Sequence, residues 1–460
     1  MTSFILPIAF RDPLAAFAPL ANMPMAVLLD SAQTDAPINA RGRFCYIAAD
    51  PFRTIRCTAH PWSVSIDGTQ VDGDPFTVLA RELARFKTTA PDSAPFGGGA
   101  IGFFSYELGG VLERLPPPRT KPCLDDMVVG LYDVVAVFDL ERREAWVIST
   151  GFSDENDAAR AKSRAEWLAA QLGNAALPPP RVEKGAWRAE MPRAAYEEKV
   201  ADIIEAIRAG DIYQANFTQR LTARVSEEAS FDLYRRLRSL APAPFGAFFN
   251  AGSVQLMSAS PERFLKVDAK GRVETRPIKG TRPRGKTPAE DAALAAELTA
   301  SPKDRAENLM IVDLLRNDLA RVCEPGSVKV PQLCALETFP AVHHLVSVVT
   351  ANLRGNMGAV DLLRATFPGG SITGAPKIKA MEVIHHQEPS ARGPYCGAMA
   401  WLGFDGAMDS SIVIRTLVQT GDTLVAQGGG GIVAQSDPAA EYEESMIKLR
   451  PLLAVLDEAP

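Results

Sequence analysis

Residues 196–224 read YEEKVADIIEAIRAGDIYQANFTQRLTAR, and this stretch decides the fold class. Apolar residues recur at helical spacing from Tyr196 to Ala209, and Gly210 is a typical residue to end that helix. Strand-forming residues follow from Phe217 to Arg224, and residues 254–267 predict a pair of short strands. Because helices and strands alternate irregularly, the order indicates an α+β protein and not a regular series of βαβ units.

The region before this stretch is rich in strand signals. Residues 25–29 and 127–138 predict strands, and a polar turn after the second leads to another at 144–148. Residues 153–172 then have helical spacing. Pro178-Pro179-Pro180-Arg181 predicts a stiff, extended connector. The first part of the chain therefore looks like a sheet built from hairpins and followed by one helix.

The length of 460 residues suggests two or three domains, or one large interwoven domain. We divide the chain into a sheet-rich region at residues 1–175, a connector at 176–190 and a second region at 191–460. We expect the two regions to be interwoven into one globule.

Composition excludes several classes of partner. The chain is 47% apolar with a formal net charge of -6, and it has no basic stripe for nucleic acid. No apolar run approaches the roughly 18 residues that a membrane helix needs, and residues 1–7 lack a basic leader. We therefore expect a cytoplasmic protein that binds neither nucleic acid nor a membrane, so any anionic ligand must be held locally.

The six cysteines contain no Cys-x-x-Cys pair, which favours reduced packing residues over disulfides or zinc ligands. None lies in a Gly-x-Cys-x-Gly setting, so the sequence lacks the nucleophile of a glutaminase. They are Cys45, Cys57, Cys123, Cys323, Cys334 and Cys396.

A basic segment at residues 276–282, RPIKGTR, contains the strongest candidate for a nucleophile. Lys279 is predicted on a loop that turns at Gly280, beside the hydroxyl of Thr281 and several cations. In such surroundings a lysine can lose its proton and attack carbon. A solvated lysine in a basic turn is the alternative interpretation.

Two predicted helices each carry a pair of acids. Asp304 and Glu307 stand three residues apart on one helix face, and Glu441 and Glu444 do the same on a helix that begins at Asp437-Pro438. Paired carboxylate oxygens suit Mg²⁺ better than a soft metal. Each pair alone is also typical of a solvated helix surface.

Two glycine-dense segments, residues 368–377 and 427–432, are predicted as loops whose backbone N–H groups approach an anion, with charge added by Lys377. The spacing does not fit a Walker A loop. Arg415 lies in a predicted buried strand at residues 411–416 and therefore needs an anionic partner. A substrate carboxylate or a structural salt bridge would serve.

These segments together resemble the chorismate-utilising enzymes. The resemblance covers roughly residues 195–455, with a weaker likeness at 28–31 and 96–110. It rests on Pro277-Ile278-Lys279-Gly280-Thr281, Glu307-Asn308-Leu309-Met310-Ile311-Val312-Asp313, Gly374-Ala375-Pro376-Lys377, Tyr395-Cys396-Gly397, Ile414-Arg415-Thr416, Gly431-Ile432-Val433-Ala434 and Glu441-Tyr442-Glu443-Glu444, which occur in family order.

The resemblance implies an α+β fold in which two orthogonally packed, mixed or antiparallel sheets form a sandwich with helices on the outside. It also implies chorismate as substrate and Mg²⁺ as cofactor. Two residues distinguish branches of the family. Lys279 resembles the members that make 4-amino-4-deoxychorismate, since those making anthranilate typically have alanine there. Gln214 stands where members that add water have a lysine base, so the resemblance implies ammonia as the nucleophile.

Roles for single residues follow from the resemblance. Lys279 would add at C2 of chorismate, Glu262 would protonate the hydroxyl leaving C4, and Thr281 and His344 would lie near that hydroxyl. To attack, the lysine must be neutral, which burial and nearby magnesium and arginine charge would favour. The expected magnesium ligands are Glu307 and Glu444, with Asp304 and Glu441 beside them. The expected substrate-binding residues are Gly280, Ser371, Tyr395, Arg415, Gly429, Gly430, Gly431 and Lys448.

Because no glutaminase nucleophile is present, the expected partner is a separate glutaminase subunit that supplies ammonia. Two alternatives remain open: an anthranilate-forming enzyme, and a non-catalytic ligand-binding subunit that scaffolds a glutaminase. Relatives also have a tryptophan pocket, and its segments here contain Ser31 and Pro244-Phe245. The usual Pro-Tyr is Pro-Phe, which disfavours tryptophan binding.

Overall fold

A computed structural model of the chain describes residues 3–32, 42–58, 61–89, 94–116, 124–153, 158–339 and 342–457. The helices are α1 (Pro13–Phe17), α2 (Pro75–Ala84), α3 (Gly109–Leu112), α4 (Ala158–Gln171), α5 (Arg193–Arg208), α6 (Ser230–Leu240), α7 (Pro288–Ala300), α8 (Pro302–Ala320), α9 (Ala359–Thr366), α10 (Lys377–Gln387) and α11 (Pro438–Leu453).

The strands are β1 (Phe4–Ile8), β2 (Val27–Asp30), β3 (Phe44–Ala48), β4 (Arg53–Thr58), β5 (Ser63–Ile66), β6 (Thr69–Val71), β7 (Gly99–Phe104), β8 (Met127–Tyr132), β9 (Val134–Asp139), β10 (Glu144–Ser149), β11 (Arg188–Ala189), β12 (Gln214–Arg224), β13 (Phe245–Asn250), β14 (Gln255–Ser260), β15 (Arg263–Val267), β16 (Arg272–Thr275), β17 (Ile278–Pro283), β18 (Lys329–Thr338), β19 (Val342–Asn352), β20 (Gly374–Ala375), β21 (Ala398–Gly403), β22 (Met408–Ile412), β23 (Thr416–Thr420) and β24 (Thr423–Ile432).

The strands form two large sheets, and the pairings among the described residues are antiparallel. The first sheet has the order β1-β10-β9-β3-β2-β13-β14-β23-β24-β12-β11, with β20 paired to β12. The second has the order β17-β19-β16-β15-β22-β21-β7-β8-β4-β5-β6, with β18 paired to β19. The predicted α+β sandwich is confirmed.

Each sheet joins a block of strands from early in the chain to a block from later in the chain. In the first sheet β2 pairs with β13, and in the second sheet β7 pairs with β21. The regions before and after the predicted connector therefore share both sheets, and the boundaries at residues 175 and 191 stay a prediction.

The apolar faces of the two sheets meet in a buried cluster that contains Val27, Phe249 and Leu256 from the first sheet and Ile101, Phe103 and Trp401 from the second. The outer face of the first sheet packs against α1, α4, α6 and α11, and that of the second against α2, α8 and α9. Helices thus cover the outside of a two-sheet core, as amphipathic elements require.

Local sequence signals explain where the two acidic helices begin. Ser301 is the N-cap of α8 and Pro302 follows it, while Asp437 and Pro438 have the same positions in α11. A capping side chain accepts a hydrogen bond from a free backbone N–H group at the helix start. Proline fits the first turn because it has no backbone N–H that would need a partner there. The predicted helices at these places are confirmed.

The apolar run at residues 127–138 is two strands and not one. Asp133 interrupts it, buried and paired to Arg164 at 3.1 Å, so that β8 joins the second sheet and β9 the first. The hairpin of β9 with β10 is confirmed. Some predicted features lie outside the described residues: the start of the helix predicted at 153–172, and Cys123.

No helix within the described ranges is both long and apolar enough to cross a lipid bilayer.

Candidate active site

Lys279 lies on the edge strand β17 of the second sheet, where a loop was predicted. The register between β17 and β19 shifts between Lys279 and Thr281, so Gly280 forms a bulge with φ 80°. A Cβ at Gly280 would stand 2.9 Å from Cβ of Asp304, which glycine avoids. The bulge therefore lets the start of α8 approach the strand that carries the lysine.

Acidic and polar groups surround the Lys279 amine. Its Nζ donates a hydrogen bond to the Ser371 carbonyl oxygen at 3.3 Å. Glu262, Glu307 and Glu444 each interact with it electrostatically. The half-buried amine thus faces three carboxylates that come from distant parts of the chain.

Glu262 is the most deeply buried of these acids, with 7% of its surface exposed. Burial raises the pKa of Glu262 to about 7, although the Ser371 hydroxyl, the charge of Lys279 and the Ile278 N–H all favour the carboxylate form. A carboxyl group that titrates near neutral pH can both accept and release a proton. It interacts with the Lys279 amine, with which it can exchange that proton.

Thr281 and His344 come together as the family resemblance implies. They are cross-strand neighbours on β17 and β19, and Thr281 Oγ1 lies 2.9 Å from His344 Nδ1. The Phe339 ring packs edge-on against the imidazole at a centroid distance of 5.4 Å. This pair lies two residues along the strand from Lys279.

The two predicted acid pairs also meet. Glu307 on α8 interacts electrostatically with Asp304 on its own helix and with Glu444 on α11, and Glu444 interacts with Glu441. Burial raises the pKa of Glu307 and of Glu441. Glu444 differs: burial opposes its charge, but contact with Lys448 at 2.7 Å lowers its pKa overall.

Cations of the chain itself partly neutralise this acidic group. Lys303 lies 3.7 Å from Glu441, and Arg282 lies 3.3 Å from Asp304. Both were missed in the sequence, although the spacing of Lys303 and Glu307 by four residues on one helix was a usable signal.

The acidic group fits Mg²⁺ but does not enclose it. Within the ranges that the structure describes, no three His, Cys, Asp or Glu side chains form a ready metal cage. Carboxylates whose charge is disfavoured by burial and mutual repulsion, as at Glu307 and Glu441, gain from a divalent cation. Magnesium usually keeps several waters and takes few protein ligands, so an open carboxylate pair is suitable.

The glycine segment at residues 427–432 is strand β24, where a loop was predicted. Pairing with β12 fixes it, and a Cβ at Gly429 would stand 2.0 Å from the Phe217 carbonyl oxygen. A Cβ at Gly430 would stand 3.3 Å from Glu441 Oε2 and 3.4 Å from Lys448 Nζ. The glycines therefore leave room between the strand and the acidic group, where a ligand can lie.

Gly431 brings Gln214 to the same place. A Cβ at Gly431 would stand 2.1 Å from Gln214 Nε2 and 3.6 Å from Lys279 Nζ. Gln214 is 1% exposed, and its Oε1 has no hydrogen-bond partner among the described residues. A buried acceptor without a donor is costly, so a donor that enters the site would be stabilised there.

The sequence predicts Arg415 in a strand, and this prediction is wrong. Arg415 lies between β22 and β23, in the left-handed region at φ 53°. Within the described part of the chain its guanidinium donates to the Lys448 carbonyl oxygen at 3.0 Å and forms no ion pair. Burial lowers the pKa of Arg415, with Tyr395 and Glu444 opposing this. Of the two partners expected from the sequence, an anionic ligand fits better than a salt bridge.

Lys377 has a structural role instead of the predicted anion-binding one. Its Nζ lies 2.6 Å from Asp318 Oδ2 and donates to the Thr366 carbonyl oxygen at 2.9 Å. Asp318 is buried, and the Lys377 side chain is 13% exposed. The Lys377 amine therefore binds groups of α8 and α9 and does not face β24.

The segments of the expected tryptophan pocket do meet. Ser31 Oγ donates to the Pro244 carbonyl oxygen at 3.0 Å, and the Phe245 ring lies under the Arg263 guanidinium at 5.2 Å from its centroid. Tryptophan binding itself stays a prediction that the sequence disfavours.

Comparison with known proteins agrees with this geometry. A model of the chorismate binding enzyme family matches residues 27–454. A Klebsiella aerogenes protein named aminodeoxychorismate synthase component 1 is 44% identical over 96% of this chain and 96% of its own length. A Pseudomonas aeruginosa protein named anthranilate synthase component 1 is 38% identical over 96% of this chain and 92% of its own.

Among solved structures, the anthranilate synthase component I of Streptococcus pneumoniae superposes with a TM-score of 0.79 and 32% identity, covering 92% of this chain and 94% of that one. The match of the family model covers the described strands of both sheets except β1, and every element that carries a residue of the site. The chain belongs to the chorismate binding enzyme family.

Proposed function

We propose that the chain is the chorismate-aminating component of an aminodeoxychorismate synthase, which forms 4-amino-4-deoxychorismate for the synthesis of 4-aminobenzoate and folate. The observation that carries this proposal is the Lys279 amine, held by the Ser371 carbonyl and facing Glu262 and the acidic group. The relative at 44% identity has this name, and the anthranilate relative is less similar.

Glu307 and Glu444 would hold Mg²⁺, with Asp304 and Glu441 beside them. Bound there, Mg²⁺ would supply Lewis-acid stabilisation of negative charge on the substrate. The Arg415 guanidinium, which lacks an ion-pair partner within the described ranges, would bind the enolpyruvyl carboxylate with Tyr395 and the Gly430 and Gly431 backbone.

The first chemical step uses the neighbouring acid and amine. The Glu262 carboxylate takes a proton from the Lys279 ammonium, and the neutral amine adds at C2 of the ring. Glu262 returns the proton to the C4 hydroxyl, which leaves as water while the double bonds shift. Thr281 and His344 lie along the same strand pair and would orient the departing hydroxyl.

In the second step ammonia adds at C4, the double bonds shift back, and the bond between C2 and the lysine nitrogen breaks. The proton that the new C4 ammonium group loses goes to the lysine amine, which regenerates the starting state. The enolpyruvyl group is retained. Gln214, whose buried Oε1 near Lys279 has no hydrogen-bond partner among the residues that the structure describes, would accept a hydrogen bond from the incoming ammonia.

The ammonia would come from a separate glutaminase subunit, since the chain has no cysteine in a nucleophilic setting. The word component in the names of the relatives fits a second subunit. We also propose a cytoplasmic location. The five described cysteines are free and buried, which fits a reducing compartment.

The proposal is tested by incubating the purified chain with chorismate, Mg²⁺ and ammonium and separating the products. We expect 4-amino-4-deoxychorismate without pyruvate, and a sharp loss of product for Lys279→Ala. Anthranilate with pyruvate would instead identify the tryptophan-pathway activity, and no turnover would favour a non-catalytic scaffold.

A further inference from the structure

We propose that Arg392 and Glu388 form a positioning pair that sets the Ser371 loop against Lys279 and Glu262, and thereby sets the pH at which the site becomes active. This inference rests on the proposed function. Within the described residues neither side chain bonds to the acidic group, the contact with the glycine segment is a hydrogen bond from Gln427 Nε2 to the Arg392 carbonyl oxygen at 2.8 Å, and neither residue belongs to the sequence motifs used above. They act through the backbone that carries the site.

The pair is buried and fully engaged. Arg392 is 2% exposed and Glu388 is 7% exposed, and two guanidinium nitrogens donate to the two Glu388 oxygens at 2.8 and 2.7 Å. The Tyr106 ring lies against the guanidinium at 4.5 Å. A planar, bidentate pair stacked on an aromatic ring has a fixed orientation, which a lysine could not reproduce.

The remaining donors of Arg392 join two walls of the site. One nitrogen donates to the Ile372 carbonyl oxygen at 2.9 Å, next to Ser371, and another to the Asn216 carbonyl oxygen at 2.5 Å, two residues from Gln214. Glu388 completes the connection by accepting from the Thr218 backbone N–H at 3.0 Å. One ion pair therefore spans the loop that holds Ser371 and the strand β12.

The Ser371 loop connects the Arg392–Glu388 ion pair to the reacting groups. The Ser371 carbonyl accepts from Lys279 Nζ, and its hydroxyl bonds to Glu262. The groups that face Glu262 are this hydroxyl, the Lys279 amine and the Ile278 N–H, all of which favour the carboxylate. If the loop moves, Glu262 loses the contribution of the hydroxyl and holds its proton to a higher pH.

The test measures the pH profile of kcat/KM with ammonium for wild type, Arg392→Met, Ser371→Ala and the double variant. Because Glu262 must begin as a carboxylate, its protonation sets the acidic limb. We expect Arg392→Met and Ser371→Ala each to move that limb up by as much as about one pH unit. The double variant should show no further movement, since both changes remove the same hydrogen bond.

Two conservative variants keep the test decisive if Arg392→Met folds poorly. Glu388→Gln retains the shape of the pair, and Arg392→Lys retains the charge; both should shift the limb less than Arg392→Met does. Arg53→Met serves as the matched control, because it breaks another buried pair, Arg53 on β4 of the second sheet with Glu82 on α2 at 2.7 Å. It should lower the melting temperature and leave the acidic limb in place.

An unmoved limb in Arg392→Met, or equal shifts in Arg392→Met and Arg53→Met, would reduce the pair to a general structural role and overturn the inference. Additive shifts in the double variant would also overturn it. Failure of the proposed function is distinguishable, because wild type would then yield no aminated product at any pH.

Discussion

Replacing Glu262 with glutamine should stabilise the protein at alkaline pH while it removes activity. The side chain is 7% exposed, and burial raises its pKa from 4.5 to about 7. At about 1.4 kcal/mol per pKa unit, this rise corresponds to a penalty of about 3 kcal/mol when the carboxylate is ionised in the folded state.

The sign of the effect follows from proton binding. Between pH 4.5 and about 7 the folded state holds the proton and the unfolded chain does not, so stability falls as the pH rises through this range. The penalty is absent below pH 4.5 and complete above about pH 7. Glutamine has no charged form, so Glu262→Gln should raise the free energy of unfolding above neutral pH and leave it unchanged in acid.

Urea titrations of wild type and Glu262→Gln at about pH 4 and about pH 8 measure this difference. We expect equal stability in acid and a gain of about 3 kcal/mol at the alkaline pH. Unfolding entropy of about 2.1 cal/mol/K per residue converts that gain, for a chain of 460 residues, to a rise of about 3 °C in Tm. The variant should lose about 10²- to 10⁴-fold in kcat.

Glu198 on the exposed side of α5 provides the matched control. Glu198→Gln should change the unfolding free energy little and equally at both pH values. The contrary result would be a stability difference between Glu262→Gln and wild type that is the same at about pH 8 as at about pH 4. In that case ionisation of the buried carboxyl would not lower the free energy of unfolding. Its role as a proton carrier near neutral pH would then lose its physical basis.

Three further outcomes are expected. Arg415→Lys should raise KM for chorismate about 10- to 100-fold with less effect on kcat, because it loses a bidentate carboxylate contact; a KM unchanged in steady-state assays would contradict that role. Gly431→Ala should abolish turnover, because its Cβ would stand 2.1 Å from Gln214 Nε2 and displace that side chain. The Tm should fall by no more than a few degrees, since only the end of a side chain must move. Full activity of the variant would contradict this role of Gly431. Lys377→Met should cost about 3–5 kcal/mol in urea unfolding, because Asp318 stays buried without its partner; a loss under about 1 kcal/mol would refute a structural ion pair.

Features fixed by neighbouring residues could be predicted from the sequence. Helix α8 was located from helical residue spacing and α11 from its start at Asp437-Pro438, and the four acids of the two helices do converge. Caps and helical spacing are local, so no tertiary information was needed.

Features fixed by distant pairing could not be predicted. The glycines of residues 428–431 have the composition of a loop, yet β12, two hundred residues earlier in the chain, holds them in a strand. Arg415 looked like part of a strand, but its left-handed conformation ends the pairing of β22 before β23 begins. The pair Arg392–Glu388 left no motif at all, because its partners are backbone carbonyls of two remote segments.

The order of strands constrains how the polypeptide acquires its shape during synthesis. Strands β21 to β24 occupy the middle of both sheets, between neighbours made much earlier. Until the ribosome releases residues 398–432, β7, β12 and β14 each lack a central neighbour, and their open edges can recruit other nascent chains. A chaperone that shields those edges while translation proceeds would therefore raise the yield of active enzyme.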